Sequence, residues 1–127
     1  MTEVLGRTID KVGPHDRAVR AAPDELASRL QAVLGQKLTA LLAGTPDPKA
    51  VGEWARGVRA PHPGKEARLR LAFQIVELLL QAESERTVRA WFLGMNPYLD
   101  DRSPASVIAS GKEPRAALEA AYAFLAE

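Results

Sequence analysis

The sequence predicts an all-α fold, an N-terminal bundle of short helices packed with a small helical C-terminal lobe, and three observations carry that expectation. Leucine, isoleucine and valine recur at helical i, i+4, i+7 spacing through most of the 127 residues. Nowhere do β-branched and aromatic residues alternate with polar ones, and aromatics are only 6% of the chain, so strand signals are missing. The helical stretches are also sharply punctuated, by Asp-Pro or Ser-Pro at their starts and by glycine at their ends.

Residues 1–22 mix Gly6, Gly13, Pro14 and scattered charges and are expected to form a flexible N-terminal arm without firm structure of its own, or one that docking orders. A first helix spans 24–34, with Leu26, Leu30, Val33 and Leu34 on one face and Asp24 and Glu25 at its positive dipole end. A second, 36–43, presents Leu38, Leu41 and Leu42 and stops at Gly44. A third, 49–56, follows Asp47 as N-cap and Pro48 at the first helical position, and Gly57 closes it. Its apolar side is Val51, Trp54 and Ala55, which turns Lys49, Gly52, Glu53 and Arg56 outward.

The loop around Pro61, His62 and Pro63 is extended, because a residue before proline is pushed out of the helical region. The longest helix, 65–81, has the broad stripe Leu71, Ile75, Leu78 and Leu79 suited to central packing. Ser84 caps 85–93 and Gly94 stops it; the Asn96-Pro97-Tyr98 turn breaks helicity; Ser103-Pro104 starts a short helix that Gly111 ends; Pro114 opens the last, with Leu118, Ala121, Tyr122 and Leu125 inward. The count is seven helices and no sheet, and the chain divides into the arm 1–22, a bundle 23–82 and a C-terminal lobe 83–127.

Net charge +1 marks neither a polybasic nor an acidic protein. The total conceals a gradient: residues 1–48 sum to 0, residues 49–70 to +4 and residues 71–127 to −3. The absence of cysteine excludes disulfides, thiolate metal sites and cysteine nucleophiles and fits a cytoplasmic location. No apolar stretch reaches the length of a signal core or a membrane span.

Catalytic patterns are missing. His15 and His62 stand alone, Asp100 and Asp101 are adjacent and diverge, and there is no glycine-rich phosphate loop and no nucleophile elbow. Neither an enzyme nor a cofactor or metal is expected. The pattern that does stand out is three short helices in succession followed by a basic loop and a longer helix, which suggests a helix-turn-helix. In that arrangement Lys49, Arg56, Arg59 and Lys65 would meet phosphates or base edges of DNA. The alternative is that they are solvated charges on a helical bundle. An outward Gly52 and Glu53 argue against DNA, since glycine costs a helix about 1 kcal/mol relative to alanine and a carboxylate repels phosphate.

The second half carries another concentration: Trp91, Phe92, Met95, Pro97, Tyr98, Leu99, Pro104, Val107 and Ile108 gather around a proline turn. Most of these side chains suit burial, and the remainder are of the types enriched at protein–protein interfaces.

Two stretches together carry a resemblance. The run from Val51 to Pro61, V-G-E-W-A-R-G-V-R-A-P, followed by a helix with Arg68, Leu69 and Leu71, resembles the Xre-type helix-turn-helix of antitoxins in the MbcA/ParS/Xre family. Trp91-Phe92, then Met95-Asn96-Pro97-Tyr98-Leu99, Ser103-Pro104-Ala105, Val107-Ile108 and Gly111, resembles that family's toxin-binding domain. The match covers residues 34–127 and leaves the arm outside.

The resemblance implies a type II antitoxin, itself no enzyme, that neutralises a RES-domain toxin, an enzyme that depletes NAD, and autoregulates its operon through operator DNA. It also implies a homodimer or a toxin–antitoxin hetero-oligomer. Trp91, Asn96, Pro97, Leu99, Pro104, Ile108 and Gly111 are the matched motif positions, most of which build the domain rather than touch the toxin. Toxin binding is assigned to Trp91, Asn96, Pro97, Tyr98 and Leu99 together with Tyr122, Phe124 and Glu127, and these last three, on the last helix and terminus, are the residues expected to touch the toxin directly. A solitary Xre-type DNA-binding repressor is the alternative; it leaves the Trp91–Gly111 segment without a task.

Overall fold

Five of the eight α-helices among the described residues begin on a proline, where a missing N–H costs no intrahelical bond and a fixed φ favours helix. The computed structural model describes residues 2–4 and 7–127, with side chains from Thr8 onward. Its elements are a hairpin of β1 (Thr2–Val4) and β2 (Arg7–Ile9), then α1 (Val12–Arg20), α2 (Pro23–Leu34), α3 (Gln36–Ala43), α4 (Pro48–Ala55), α5 (Pro63–Leu79), α6 (Glu85–Leu93), a single 3-10 turn (Pro97–Leu99), α7 (Pro104–Ser110) and α8 (Pro114–Leu125). The protein is all-α apart from that hairpin, and α2 to α8 coincide with the seven helices expected from the sequence.

One hydrophobic core runs through both lobes. Helix α2 packs on α4, burying Leu26, Leu30 and Val33 of the one and Val51 and Trp54 of the other, and α5 contributes the buried Leu69, Ile75, Val76 and Leu79. Phe92 of α6, Ile108 of α7 and Leu125 of α8 close it. No helix among the described residues is long and apolar enough to cross a membrane.

Residues 1, 5 and 6 of the expected arm lie outside the described residues; the rest of it has structure, and docking is what orders it. Residues 12–20 are helical and docked on α5, and β1 and β2 pair antiparallel in the register Thr2↔Ile9, Glu3↔Thr8, Val4↔Arg7. Only Pro14 and Ala18 of α1 are buried, so no apolar stripe announces the helix. It is held from outside. The Arg70 guanidinium donates to the carbonyls of Ala18 at 2.6 Å and Ala21 at 2.7 Å, at the negative end of the α1 dipole, while pairing with Glu66 at 2.8 Å. Gln81 donates to the Asp10 carbonyl at 2.6 Å and accepts from its N–H at 2.8 Å, the way a neighbouring strand would. Asp10 Oδ1 accepts from the amides of Val12 and Gly13, and Ile9 is buried.

A second arginine joins the lobes. Arg68 of α5 lies between the C-terminal ends of α3 and α7 and donates to the Ala43 carbonyl at 3.3 Å. Both helices end in a left-handed glycine, Gly44 at φ 78° and Gly111 at φ 69°. A Cβ on Gly111 would lie 2.7 Å from the guanidinium, and one on Gly44 3.3 Å from it, so the missing side chains make room for the cation.

Candidate functional site

Two surfaces gather the residues that the sequence singled out. The first is the outer side of α4. Asp47 Oδ1 accepts from the Lys49 amide at 3.0 Å and starts the helix at a defined residue. Lys49 and Arg56 are exposed, and with Gln36, Asp47, Gly52 and Glu53 they line a shallow cleft of about 400 Å³. Gln36, at the first position of α3, was missed by sequence reasoning. Its amide donates to Gln31 Oε1 at 2.8 Å and lies over α4.

Gly52 is buried, contrary to the expectation that it faces outward. A Cβ there would stand 3.0 Å from the Gln36 amide nitrogen and 3.3 Å from the Arg56 guanidinium, so glycine permits a close approach in place of a surface side chain. Glu53 does point outward, but Arg59 reaches it at 3.4 Å. Both side chains are substantially exposed, so that pair stabilises little; its effect is to offset the carboxylate's charge on this face. Lys65 turns away from the cleft, its Nζ donating to the Gly44 carbonyl at 3.3 Å at the C-terminal end of α3. Of the four cations expected to meet DNA, Lys49 and Arg56 therefore share the cleft, Arg59 stands at its edge through Glu53, and Lys65 closes a helix end.

The second surface lies between the Asn96–Leu99 turn and α8. Asn96, Pro97, Tyr98, Phe124 and Glu127 line one groove of about 390 Å³, floored by Ala120 and Ala123. Five of the eight expected contact residues thus converge from two distant stretches of chain. Asn96 organises the turn: its side chain accepts from the Tyr98 amide at 2.9 Å, and its carbonyl accepts from the amides of Leu99 and Asp101. The turn leaves through Asp100 and Asp101, both left-handed at φ 56° and 64°, a conformation that aspartate tolerates better than most residues. Arg102 then fastens it to the Leu99 carbonyl at 3.0 Å and to Glu113 at 3.4 Å.

The other three expected contacts do not line the groove. Trp91 is 9% exposed and packs edge-on against Phe92, with centroids 5.2 Å apart, and against Phe124 at 6.4 Å. Leu99 is buried in the core. Both support the groove from beneath. Tyr122 faces away, towards α1, where Lys11 Nζ stands 4.4 Å above its ring. Residues two apart on a helix point to nearly opposite sides, so Tyr122 and Phe124 cannot serve one surface, whereas Ala120, Ala123, Phe124 and Glu127 can. Met95, 82% exposed, also lines the groove, and Tyr98 is 61% exposed.

Beyond the groove, Leu93 and Leu41 are exposed over an apolar cleft of about 440 Å³ floored by Leu34 and Leu38. Among the described residues no three His, Asp or Glu side chains converge to hold a metal ion. Comparison of the chain with protein-family models, with curated proteins and with solved structures returns no match in any of the three.

Proposed function

We propose that this protein is a type II antitoxin of the MbcA/ParS/Xre kind, acting in the cytoplasm, whose C-terminal groove docks on a RES-domain toxin that depletes NAD. One observation above all supports the reading: the Asn96–Leu99 turn, which carries the resemblance to the family's toxin-binding domain, and the last helix, expected to touch the toxin, meet around a single groove, with Met95 and Tyr98 left to solvent. Exposed aromatic and methionine side chains over a floor of small residues are the chemistry of a protein interface. The acidic balance of residues 71–127 suits a basic partner cleft.

The helix-turn-helix of α3 and α4 completes the proposal as the operator-binding element. Lys49 and Arg56 around one cleft supply donors to phosphate oxygens and base edges. The same arrangement favours a second reading, a solitary Xre-type repressor.

Identifying the adjoining open reading frame, and co-expressing the chain with its product if that is a RES-domain protein, tests the first reading. The chain is expected to restore growth and to co-purify with the toxin, and Tyr98→Asp or removal of the exposed Ala126 and Glu127 is expected to abolish both while leaving the circular dichroism spectrum unchanged. Rescue that survives both changes would move the contact elsewhere. Tight promoter binding by the chain alone, with no toxic neighbour to neutralise, would replace the antitoxin by the repressor.

A further inference from the structure

The docking of α1 creates a feature that neither surface above uses. Between α1, α5 and α8 lies a cleft of about 490 Å³, within the size range of small-molecule sites. Three cationic or potentially cationic side chains reach it from two elements: Lys11 and His15 at the start of α1, and Arg115 in the first turn of α8. Its floor is apolar, formed by Leu71 of α5 and Leu118 of α8.

The polar groups of the cleft are unspent. Within the described residues His15, the Gln74 amide and the Tyr122 hydroxyl make no hydrogen bond or ion pair, and Lys11 meets only the face of Tyr122. Arg115 has one distant partner, Glu119 at 3.8 Å, with both side chains largely in solvent. Other arginines are engaged within the molecule: Arg70 holds α1, Arg68 joins α3 to α7, and Arg89 donates to the Val33 carbonyl at 2.9 Å, whereas Arg56 on the α4 face is, like Arg115, left largely to solvent. Nor is there a carboxylate in this lining, whereas the α4 cleft has Asp47 and Glu53 and the C-terminal groove has Glu127. A site whose polar groups can all donate, over an apolar floor, is complementary to an anion that carries an apolar body.

We propose that this cleft binds a small amphipathic anion, its phosphate or carboxylate met by Lys11, His15 and Arg115 and its apolar body laid on Leu71 and Leu118. Gln74 and the Tyr122 hydroxyl supply neutral donors between the two. Because the ligand would touch both α1 and α8, its binding would hold α1 in place by mass action. That segment is otherwise fastened mainly by Arg70 and Gln81.

The test is a titration of the full chain, followed by amide chemical shifts. The probes are AMP, a planar body with a phosphate, and octanoate, an aliphatic body with a carboxylate, with inorganic phosphate and adenosine as the separate halves. At least one of AMP and octanoate is expected to saturate, with shifts centred on residues 11–15, Gln74 and residues 114–122 and with slower hydrogen exchange in α1. AMP binding without octanoate binding assigns a planar phosphate ester, and the converse an aliphatic carboxylate. Each half alone is expected to bind about tenfold or more weaker than the whole.

The double charge reversal Lys11→Glu with Arg115→Glu is expected to weaken binding by about tenfold or more, with circular dichroism unchanged. Should that variant lose α1, Gln74→Leu, which removes a donor without altering charge, is expected to weaken binding several-fold in a folded protein. The proposal fails if neither AMP nor octanoate saturates, if inorganic phosphate alone binds as tightly as AMP, or if binding in folded variants survives the substitutions undiminished.

Discussion

The α4 face and the C-terminal groove are built in opposite ways. On the α4 face several polar side chains are spoken for within the molecule, Glu53 by Arg59, Lys65 by the Gly44 carbonyl and the neutral Gln36 amide by Gln31, and Lys49 and Arg56 are left to meet a partner. In the groove the Asn96 side chain serves the turn itself, and beside Glu127 it is the largely apolar Met95 and Tyr98 that are left unused. A charged face can be read off composition yet be partly consumed by intramolecular bonds. An exposed apolar side chain on a buried aromatic support has no such internal use.

The largest effect expected is on that support. Trp91→Ala removes a nearly buried indole that packs on Phe92 and Phe124, and should destabilise the protein by about 3–5 kcal/mol, read as a fall in the urea midpoint. Shifts in the amide spectrum should concentrate in 95–102 and α8, with α3 and α4 little changed. A loss below about 1 kcal/mol would mean that the groove stands without its aromatic base.

The contrast between the faces also explains what was legible in the sequence. Helices α2 to α8 announce themselves because each has its own stripe of leucine or valine and its own start and stop, as in Asp47-Pro48 or Ser103-Pro104 with Gly111. Helix α1 does not, because what holds it are Arg70 and Gln81, some 50 and 70 residues away in sequence, acting through backbone carbonyls that no local pattern encodes. Gly52 was misplaced for a related reason: periodicity turns it outward, and a side chain from α3 covers it. The groove was half legible. Phe124 and Glu127 share a helical face, whereas pairing either with Tyr122 ignored the rotation of about 100° per residue.

The joint between the two regions offers the next effect in size. Gly111→Ala imposes a left-handed conformation on an L residue and drives its Cβ to 2.7 Å from the Arg68 guanidinium, and should cost about 2 kcal/mol in thermal or chemical unfolding. Gly44→Ala, with 3.3 Å of clearance, should cost less. If the clash with the guanidinium is part of the penalty, the Gly111→Ala cost should shrink in an Arg68→Ala background, a non-additivity of about 0.5 kcal/mol or more. Strict additivity would show that backbone strain alone accounts for it.

The smallest effect separates two lysines that sequence reasoning treated alike. Lys49 is exposed beside the cleft of α4, whereas Lys65 is bonded to the last turn of α3. If the α4 face binds duplex DNA, Lys49→Ala should lower the slope of log affinity against log salt by about 0.9, one released counterion, in anisotropy titrations on the upstream promoter. Lys65→Ala should leave that slope unchanged and instead lower stability by about 0.5–1 kcal/mol through the lost helix-end contact. Equal slopes for the two variants would mean that Lys65 abandons the Gly44 carbonyl for a phosphate, and that the intramolecular bonds of this face exchange for DNA contacts when the duplex arrives.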